Sequence, residues 1–164
     1  MMGFLDLFKK KKEGVSIAAP VEGKIIPLKD VPDPVFAEGI MGEGIAIDPT
    51  VGKIFAPFDG TVTTLFPTGH AVGLTSTEGL ELLIHIGMDT VKLDGKHFEK
   101  KVSDGDSVKK GDLLIEVDLK AVSEEGYPIV TPVIICDPKD YTKLIFTEEK
   151  EVHVGDEICF CEKQ

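Results

Sequence analysis

Two copies of one short pattern decide the fold of this chain. Residues 17–28 read "IAAPVEGKIIPL" and residues 54–65 read "IFAPFDGTVTTL", so both contain Ala-Pro, one further residue, an acid, glycine and a closing leucine. A second pair, "VSDGDSVKKGDLLIEV" (102–117) and "VHVGDEICF" (152–160), shares a Gly-Asp turn followed by apolar alternation. Proline, glycine and aspartate at matched offsets mark turns. Together the two pairs predict a duplicated β-motif.

Short apolar runs extend this pattern over most of the chain. They recur roughly every 8–12 residues between Gly, Pro and Asp turns, which is typical of a sandwich or barrel. We therefore predict an all-β fold, a compact antiparallel β-sandwich or barrel built from a duplicated motif, with one or two short helices. The predicted strands are 15–19, 24–28, 44–47, 53–56, 61–66, 70–75, 80–86, 90–93, 112–118, 129–136, residue 152 and 158–161.

Helix is expected in only two places. The segment "DPKDYTKLI" (137–145) has Asp137 as a candidate N-cap and Pro138 at the first helical position. The segment "DLKAVSEEG" (118–126) is expected to add a turn or two.

Length and charge limit the classes of function. The 164 residues suit one domain, with 42% hydrophobic and 29% charged residues. We expect that domain to span residues 15–164 after a tail, residues 1–14. The net charge of −11 argues against a nucleic-acid partner, which needs basic patches. All 18 basic residues are lysines, so a phosphate site must use imidazole, lysine or backbone N–H groups, or an arginine from a partner.

The start of the chain and the cysteines favour a cytoplasmic protein. In "MMGFLDLFKKKKE" (1–13), apolar residues at helical spacing precede four lysines, which suggests weak membrane-surface contact through residues 3–12; a disordered tail is the alternative. No apolar run approaches the ~18 residues of a membrane span, and no signal-peptide core is present. We expect three reduced thiols, with Cys136 in the core and Cys159 and Cys161 on one face of the last strand.

A histidine in an apolar strand is the main candidate for chemistry. In "ELLIHIGMDTV" (81–91), alternation places Leu82, Ile84 and Ile86 on a core face and Leu83 with His85 on the other. A core histidine bonded to backbone is the structural alternative. We interpret His85 instead as an exposed ring on an apolar surface, with Gly87 leaving room for a reactant.

A second histidine strengthens this interpretation. His70 lies in "TGHAVGL" (68–74), two residues after Thr68, and the short turn-rich "TSTEG" (75–79) predicts a hairpin that brings His70 and His85 together. Two imidazoles and a hydroxyl form a workable phosphate pocket, in which one neutral ring attacks and the other donates a hydrogen bond to the incoming oxygens. His97 and His153 are expected to be solvated.

At this point the sequence resembles a known family. The segments "LLIHIGMDTV" and "TGHAVGL", with "VPDPVFAEGIMGEGIAIDP" (31–49) and "APFDGTV" (56–62), are similar to the glucose-family enzyme IIA of the bacterial phosphoenolpyruvate:sugar phosphotransferase system. The resemblance covers residue 15 to the end. It implies a phosphotransferase component that accepts phosphoryl from the histidine-containing phosphocarrier protein and passes it to a cysteine of a sugar permease's IIB domain.

The resemblance also implies roles for individual residues. His85 would be phosphorylated through Nε2, His70 would support the phosphate, and Thr68 would belong to its polar network. No cofactor is implied beyond that covalent phosphate, and zinc at His70 and His85 is expected only in a regulatory complex. Pro34 and Gly69 look like local departures from the family pattern. The implied docking face comprises Asp33, Phe36, Ile40, Met41, Phe66, Leu83, Ile86, Asp89 and Val91, of which Ile86 conflicts with strict alternation.

Three alternatives are less well supported. A lipoyl or biotin carrier also uses duplicated β-motifs, but no Met-Lys-Met is present. A zinc hydrolase using His70 and His85 lacks an HxH or HExxH motif for a third ligand and a base. A silent regulatory relative that docks on transporters would not need both histidines.

Overall fold

The chain folds into strands joined by short turns and helices. The structure is a computed structural model that describes residues 13–163, and within that range it contains fourteen strands and two short α-helices. The helices are α1 (Pro34–Ala37) and α2 (Leu119–Glu124). The strands are β1 (Gly14–Ala18), β2 (Gly23–Pro27), β3 (Glu43–Pro49), β4 (Lys53–Phe55), β5 (Gly60–Leu65), β6 (Ala71–Ser76), β7 (Glu81–His85), β8 (Phe98–Lys100), β9 (Ser107–Val108), β10 (Leu113–Val117), β11 (Thr131–Ile135), β12 (Tyr141–Phe146), β13 (Glu151–Val152) and β14 (Glu157–Lys163).

One large sheet and two small sheets enclose the core. The large sheet has the order β13-β2-β3-β11-β7-β6-β5-β9, and the small sheets have the orders β1-β14-β12 and β4-β10-β8. Every paired strand is antiparallel. The predicted antiparallel β-sandwich with short helices is confirmed.

The repeated Ala-Pro pattern forms two equivalent corners. Each copy leads from a strand of a small sheet into a strand of the large sheet, from β1 to β2 and from β4 to β5. The corners bond to each other reciprocally, because the Ala18 amide donates to the Pro57 carbonyl (3.0 Å) and the Phe55 amide donates to the Pro20 carbonyl (2.7 Å). The sequence repeat therefore marks a structural pseudo-symmetry.

The repeated Gly-Asp turns dock onto these corners in the same way. The Ala19 amide donates to the Asp156 carbonyl at 2.7 Å, and the Ala56 amide donates to the Asp112 carbonyl at 2.8 Å. The two short strands β13 and β9 then close opposite ends of the large sheet by pairing with β2 and β5. Backbone amides of each corner are therefore satisfied by the other corner and by a Gly-Asp turn.

Alternating side chains from the three sheets fill the main core. The predicted core face of β7 is confirmed, since Leu80, Leu82, Ile84 and Ile86 are all buried in it. Full burial of one such side chain contributes roughly 1.5–3 kcal/mol of transfer free energy. The largest fully buried side chains are Ile17, Ile47, Ile54, Leu74, Leu80, Leu82, Ile84, Ile86, Leu114, Ile115, Ile134 and Ile135.

A second, smaller cluster lies under α1 and supports the candidate site. Its buried members are Val31, Phe36, Ala46, Met88 and Ile134, and Leu83 packs against it from the strand that carries His85. Asp33 begins α1 by accepting a hydrogen bond from the Val35 amide at 3.0 Å. The helix thus covers a part of the sheet that would otherwise expose apolar side chains.

The helix predicted over 137–145 is wrong. Residues Pro138–Asp140 form a single 3-10 turn, and β12 (Tyr141–Phe146) follows it. Asp137 makes no side-chain cap there. The segment is rich in β-branched and aromatic residues, which favour a strand. It pairs instead with β14 and forms the third strand of that small sheet. The second predicted helix is confirmed as α2, capped by Asp118, which accepts from the Ala121 amide.

Several other segments differ from the prediction, including β8 and β9, which were not predicted as strands. Residues Thr90–Leu93 form a 3-10 helix rather than a strand, because Asp89 adopts a left-handed conformation (φ 59°) that turns the chain out of the sheet. Helix α1 was not predicted, since four residues carry too little periodicity to be recognised.

The three cysteines lie in different environments. Cys136 is exposed, so its predicted place in the core is wrong. Cys159 and Cys161 are buried on one face of β14, with their Sγ atoms 3.8 Å apart.

The predicted membrane-contacting residues 3–12 lie outside the described range, as does most of the predicted tail 1–14, although Gly14 already belongs to β1. Among residues 13–163, no helix is long and apolar enough to cross a membrane.

Candidate functional site

His85 ends β7 on the face of the large sheet opposite the main core. The preceding residues alternate between the core and the outer face, so the imidazole emerges beside the half-buried Leu83. Its Nδ1 lies 2.8 Å from the Gly87 carbonyl oxygen. A carbonyl oxygen only accepts hydrogen bonds, so Nδ1 carries the proton. In the neutral ring, Nε2 therefore keeps its lone pair.

His70 stands beside His85 as predicted. Strands β6 and β7 form the expected hairpin with Ala71 opposite His85, and the His70 carbonyl accepts from the Ile86 amide at 2.7 Å. The two imidazole centroids are 5.1 Å apart with an edge-on angle of 81°. Nδ1 of His70 shares a hydrogen bond with the Thr68 hydroxyl. The structure thus brings His85, His70 and Thr68 into one cluster.

Burial keeps both rings uncharged near neutral pH. Desolvation, with a smaller contribution from His85, lowers the pKa of His70 to about 4. Desolvation also lowers the pKa of His85 below its usual 6.5, and this effect is opposed by the Gly87 hydrogen bond and by the charges of Asp33 and Asp89. A neutral imidazole is the form that acts as a nucleophile.

Two phenylalanine rings pack against the two imidazoles. The Phe36 ring lies 5.0 Å from that of His85 between centroids, and the Phe66 ring lies 5.3 Å from that of His70 in an edge-on arrangement. Both phenylalanines were predicted near the site. Phe66 is exposed, whereas Phe36 is only 6% exposed.

Several apolar side chains of the predicted docking face are exposed. Ile40 is 68% exposed and Val91 is 53% exposed, and Met41 is exposed as well. A mainly apolar groove over β5, β6 and β7 is lined in part by Met41, Phe66 and Leu83. Apolar surface of this kind, rimmed by polar residues, is typical of a protein-binding site.

Two residues of the predicted docking face are not available at the surface. Ile86 is 1% exposed and belongs to the main core, as strict strand alternation requires. Phe36 is buried in the cluster under α1, so the expectation that it forms an exposed contact is wrong. The reason is that α1 needs an apolar anchor on the sheet, and Phe36 is its one buried residue.

The acidic rim and the departures from the family pattern have structural explanations. Asp33 is half-buried at the start of α1, and Asp89 is exposed at the turn after His85. Pro34 occupies the first turn of α1, where proline is favoured. Gly69 has φ +74°, and a Cβ there would lie 3.1 Å from Lys100 Cγ and 3.2 Å from Phe98 Cβ.

The interpretation of Gly87 requires correction. Its φ is +76°, and a Cβ there would lie 2.6 Å from Thr90 Cγ2 and 2.7 Å from the Pro128 carbonyl oxygen. The glycine therefore makes room for neighbouring parts of its own chain, not for a reactant. Its contribution to the site is a turn that directs the Gly87 carbonyl to His85 Nδ1.

The remaining histidines lie outside this cluster. His153 is exposed, as predicted. His97 is half-buried and its Nε2 bonds to Glu125, so the prediction that it is solvated is wrong. Within residues 13–163, no group of three or more histidine, cysteine or acidic side chains is arranged to hold a metal ion.

Two residues that support the turns next to the histidines were not predicted from the sequence. Thr90 is fully buried and lies next to Gly87, and Lys100 Nζ donates to the Pro67 carbonyl at 2.8 Å beside the His70 turn. Nothing in the sequence distinguishes these residues, because their contacts depend on how loops pack.

Comparison with known proteins identifies similar chains. Residues 15–141 match the family model described as "phosphoenolpyruvate-dependent sugar phosphotransferase system, EIIA 1". The chain is 46% identical over 157 residues to a PTS system glucose-specific EIIA component from Staphylococcus epidermidis, covering 94% of each chain.

Two further similarities differ in extent. A PTS system beta-glucoside-specific EIIBCA component from Halalkalibacterium halodurans is 48% identical over 146 residues, which is 89% of this chain but 23% of that protein. This chain therefore spans about a quarter of that relative. Among solved structures, glucose permease IIA from Mycoplasma capricolum superposes with a TM-score of 0.83 at 39% identity, covering 90% of this chain and 96% of that one.

Proposed function

The chain belongs to the EIIA 1 family of the phosphoenolpyruvate-dependent sugar phosphotransferase system, and on that basis we propose that it carries phosphoryl groups on Nε2 of His85. One observation carries this proposal. Nδ1 of His85 is committed to the Gly87 carbonyl, so the neutral ring presents its lone pair at Nε2. The family membership makes the protein a phosphotransferase component, and the residue assignment is our inference.

The transfer step follows from this protonation state. His85 Nε2 attacks the phosphorus of a phosphohistidine on the donor, forming one N–P bond while the donor's N–P bond breaks. The electron pair of the broken bond stays on the donor imidazole. The product ring on His85 retains its Nδ1 proton, and the hydrogen bond to Gly87 stabilises the positive charge that develops there.

His70 supports the phosphate in this proposal without becoming phosphorylated. When its Nδ1 accepts a hydrogen bond from the Thr68 hydroxyl, Nε2 carries a proton and can donate to a phosphoryl oxygen. The edge-on arrangement 5.1 Å from His85 suits such a contact. Because His70 is neutral at pH 7, it neither repels an incoming cationic group nor loses its donor.

The surrounding apolar surface suits a protein donor and a protein acceptor. We propose that the donor is the histidine-containing phosphocarrier protein and that the acceptor is a cysteine of a permease IIB domain. The relative named EIIBCA, which contains a segment similar to this chain, supports a IIB domain as the acceptor. Contacts with exposed Ile40, Met41 and Val91 would seal the site against water, so that phosphoryl passes to the acceptor and is not hydrolysed.

The partners would also supply the positive charge that the site lacks. The chain has no arginine, and Asp33 and Asp89 lie close enough to influence His85. A basic partner would be attracted to this rim and could place an arginine against the phosphoryl oxygens. No further cofactor is proposed, and zinc at His70 and His85 would require ligands from a partner in a regulatory complex.

The experiment is phosphorylation by phosphoenolpyruvate in the presence of the two general phosphotransferase proteins. The wild-type chain should acquire one acid-labile phosphate, and His85→Ala should acquire none, because no other group occupies its position. His153→Ala, which changes an exposed histidine, is the matched control and should behave as wild type. Acid-labile phosphate on His85→Ala would contradict the assignment.

A further inference from the structure

We propose that Thr90 is a positioning residue that selects the reactive tautomer of His85. The proposal concerns a buried residue whose contacts are with the turn after His85, at Ile86 and Gly87. It rests on the proposed function for its consequence in phosphoryl transfer, whereas its structural part, the tautomer, can be measured on the unphosphorylated protein alone.

Thr90 holds the turn that follows His85 in two ways. Its hydroxyl donates a hydrogen bond to the Ile86 carbonyl oxygen at 2.5 Å. Its methyl group lies against the Gly87 backbone, because Thr90 Cγ2 is only 2.6 Å from the position of a Cβ on Gly87. The side chain is fully buried, so water cannot replace the hydroxyl as a donor.

The turn has few other restraints. The Ile86 amide donates to the His70 carbonyl at 2.7 Å, and the Met88 amide donates to the Pro128 carbonyl at 3.0 Å. Gly87 lies between these two anchors with φ +76° and has no side chain of its own to hold it. Thr90 therefore acts on the one residue of the turn that is conformationally least restricted.

Gly87 is also the residue on which the chemistry depends. Its carbonyl oxygen accepts the Nδ1 proton of His85 at 2.8 Å, and this bond leaves Nε2 unprotonated in the neutral ring. If the carbonyl rotates away, both tautomers become populated and the ring loses its fixed orientation. The Gly87 carbonyl shares a peptide plane with the Met88 amide, which donates to Pro128. The Thr90 hydroxyl fixes the preceding plane through the Ile86 carbonyl. Gly87 is therefore held on both sides, and loss of the Thr90 bond frees one of the two planes that orient its carbonyl.

Two substitutions separate the hydroxyl from the methyl group. Thr90→Val keeps the shape and removes the donor, while Thr90→Ser keeps the donor and removes the methyl group. In nitrogen-15 spectra of the unphosphorylated protein, wild type and Thr90→Ser should show His85 protonated at Nδ1, and Thr90→Val should show a mixture of tautomers. Phosphate acceptance by Thr90→Val should be about tenfold slower, as expected for a misplaced reactive group.

A control distinguishes positioning from loss of stability. Ser76→Ala removes another buried hydroxyl, which accepts from the Leu80 amide at 3.0 Å at the opposite end of the β6–β7 hairpin. It should lower the melting temperature without changing the His85 spectrum or the rate. If the valine variant does not fold, comparison of Thr90→Ala with Thr90→Ser isolates the hydroxyl instead, since these two variants differ only in that group.

The outcomes for the two proposals are distinct. If Thr90→Val retains the wild-type tautomer and rate, or if the tautomer follows the melting temperature across all variants, the role of Thr90 is overturned. If wild type itself accepts no phosphate, the proposed function fails, and the spectra still decide whether Thr90 selects the tautomer.

Discussion

At the scale of single residues, the site depends on keeping two adjacent imidazoles neutral. Protonation of His70 is opposed by burial and by the neighbouring His85, which together lower its pKa to about 4. Desolvation also lowers the pKa of His85, but the Gly87 carbonyl that accepts from Nδ1 and the charges of Asp33 and Asp89 oppose this effect. In the proposed function, His85 would therefore accept a phosphoryl group at neutral pH without first losing a proton.

The same burial predicts a dependence of stability on pH. In the unfolded chain, His70 binds a proton below about pH 6.5, whereas in the folded chain it does so only below about pH 4. The stabilisation is complete above pH 6.5 and is lost as the pH falls toward 4, because the unfolded state then binds more protons. We expect His70→Gln to reduce the loss of unfolding free energy between pH 7 and pH 4 by about 2–3 kcal/mol.

Denaturant unfolding at several pH values tests this prediction. The carboxylates titrate in both proteins, so only the difference between wild type and variant is informative. His153→Gln changes an exposed histidine and should leave the wild-type curve unaltered. Parallel curves for wild type and His70→Gln would show that His70 titrates normally in the folded protein.

At the scale of elements, α1 has two roles. It packs on the large sheet, and it leads into an exposed part of the predicted docking face. Asp33 caps this helix, and Phe36 anchors it in the smaller cluster while touching the His85 ring. Ile40 and Met41 follow directly and are exposed. One short segment therefore contains side chains with opposite roles.

These roles predict different effects of truncation. Phe36→Ala should lower the free energy of unfolding by roughly 3 kcal/mol, as for other large-to-small changes in a core. Ile40→Ala should change stability by no more than ~0.5 kcal/mol. It should instead weaken binding of the histidine-containing phosphocarrier protein, by about 30-fold if Ile40 contributes ~2 kcal/mol at the centre of the interface.

Calorimetric melting and titration binding distinguish the two variants. Val51→Ala removes an exposed apolar side chain next to β4 and is the matched control, because Val51 lines a cavity to which neither His70 nor His85 contributes. A Phe36→Ala variant as stable as wild type would show that Phe36 does not anchor α1. An Ile40→Ala variant with wild-type affinity would show that the docking face is placed incorrectly.

At the scale of the whole molecule, the net charge of −11 gives the protein an electrostatic preference for basic partners. Asp33 contributes to this at the rim of the site. We expect Asp33→Asn to weaken association with the phosphocarrier by about fivefold at low ionic strength and much less at high salt. Asparagine caps helices as well as aspartate does, so α1 should be retained.

Association measured at two salt concentrations tests this prediction. Glu149→Gln removes an equal charge from the β12–β13 loop and is the control for the overall charge of the molecule. If both variants weaken binding equally, the effect comes from net charge and not from the position of Asp33.

Much of this architecture was predictable because it depends on local patterns. The alternation of β7 showed which face His85 occupies, and the short turn before it showed that His70 lies close to His85. The two Ala-Pro copies indicated a duplication, which the reciprocal hydrogen bonds of Pro20 and Pro57 now explain. The prediction of a helix after Asp137 was wrong because a local capping signal was outweighed by strand pairing with β14.

The sequence by itself therefore determined most of the strands, the hairpin that brings the two histidines together and the residues proposed to carry out the chemistry, since these follow from the two-residue period of a strand and from the side chains themselves. Only the tertiary structure decided which apolar residues remain exposed and how the reactive ring is held. Phe36 and Ile40 are four residues apart and equally apolar, yet one is buried and the other is exposed. That difference, like the contact between Thr90 and Gly87, arises from packing between segments, which no local pattern records.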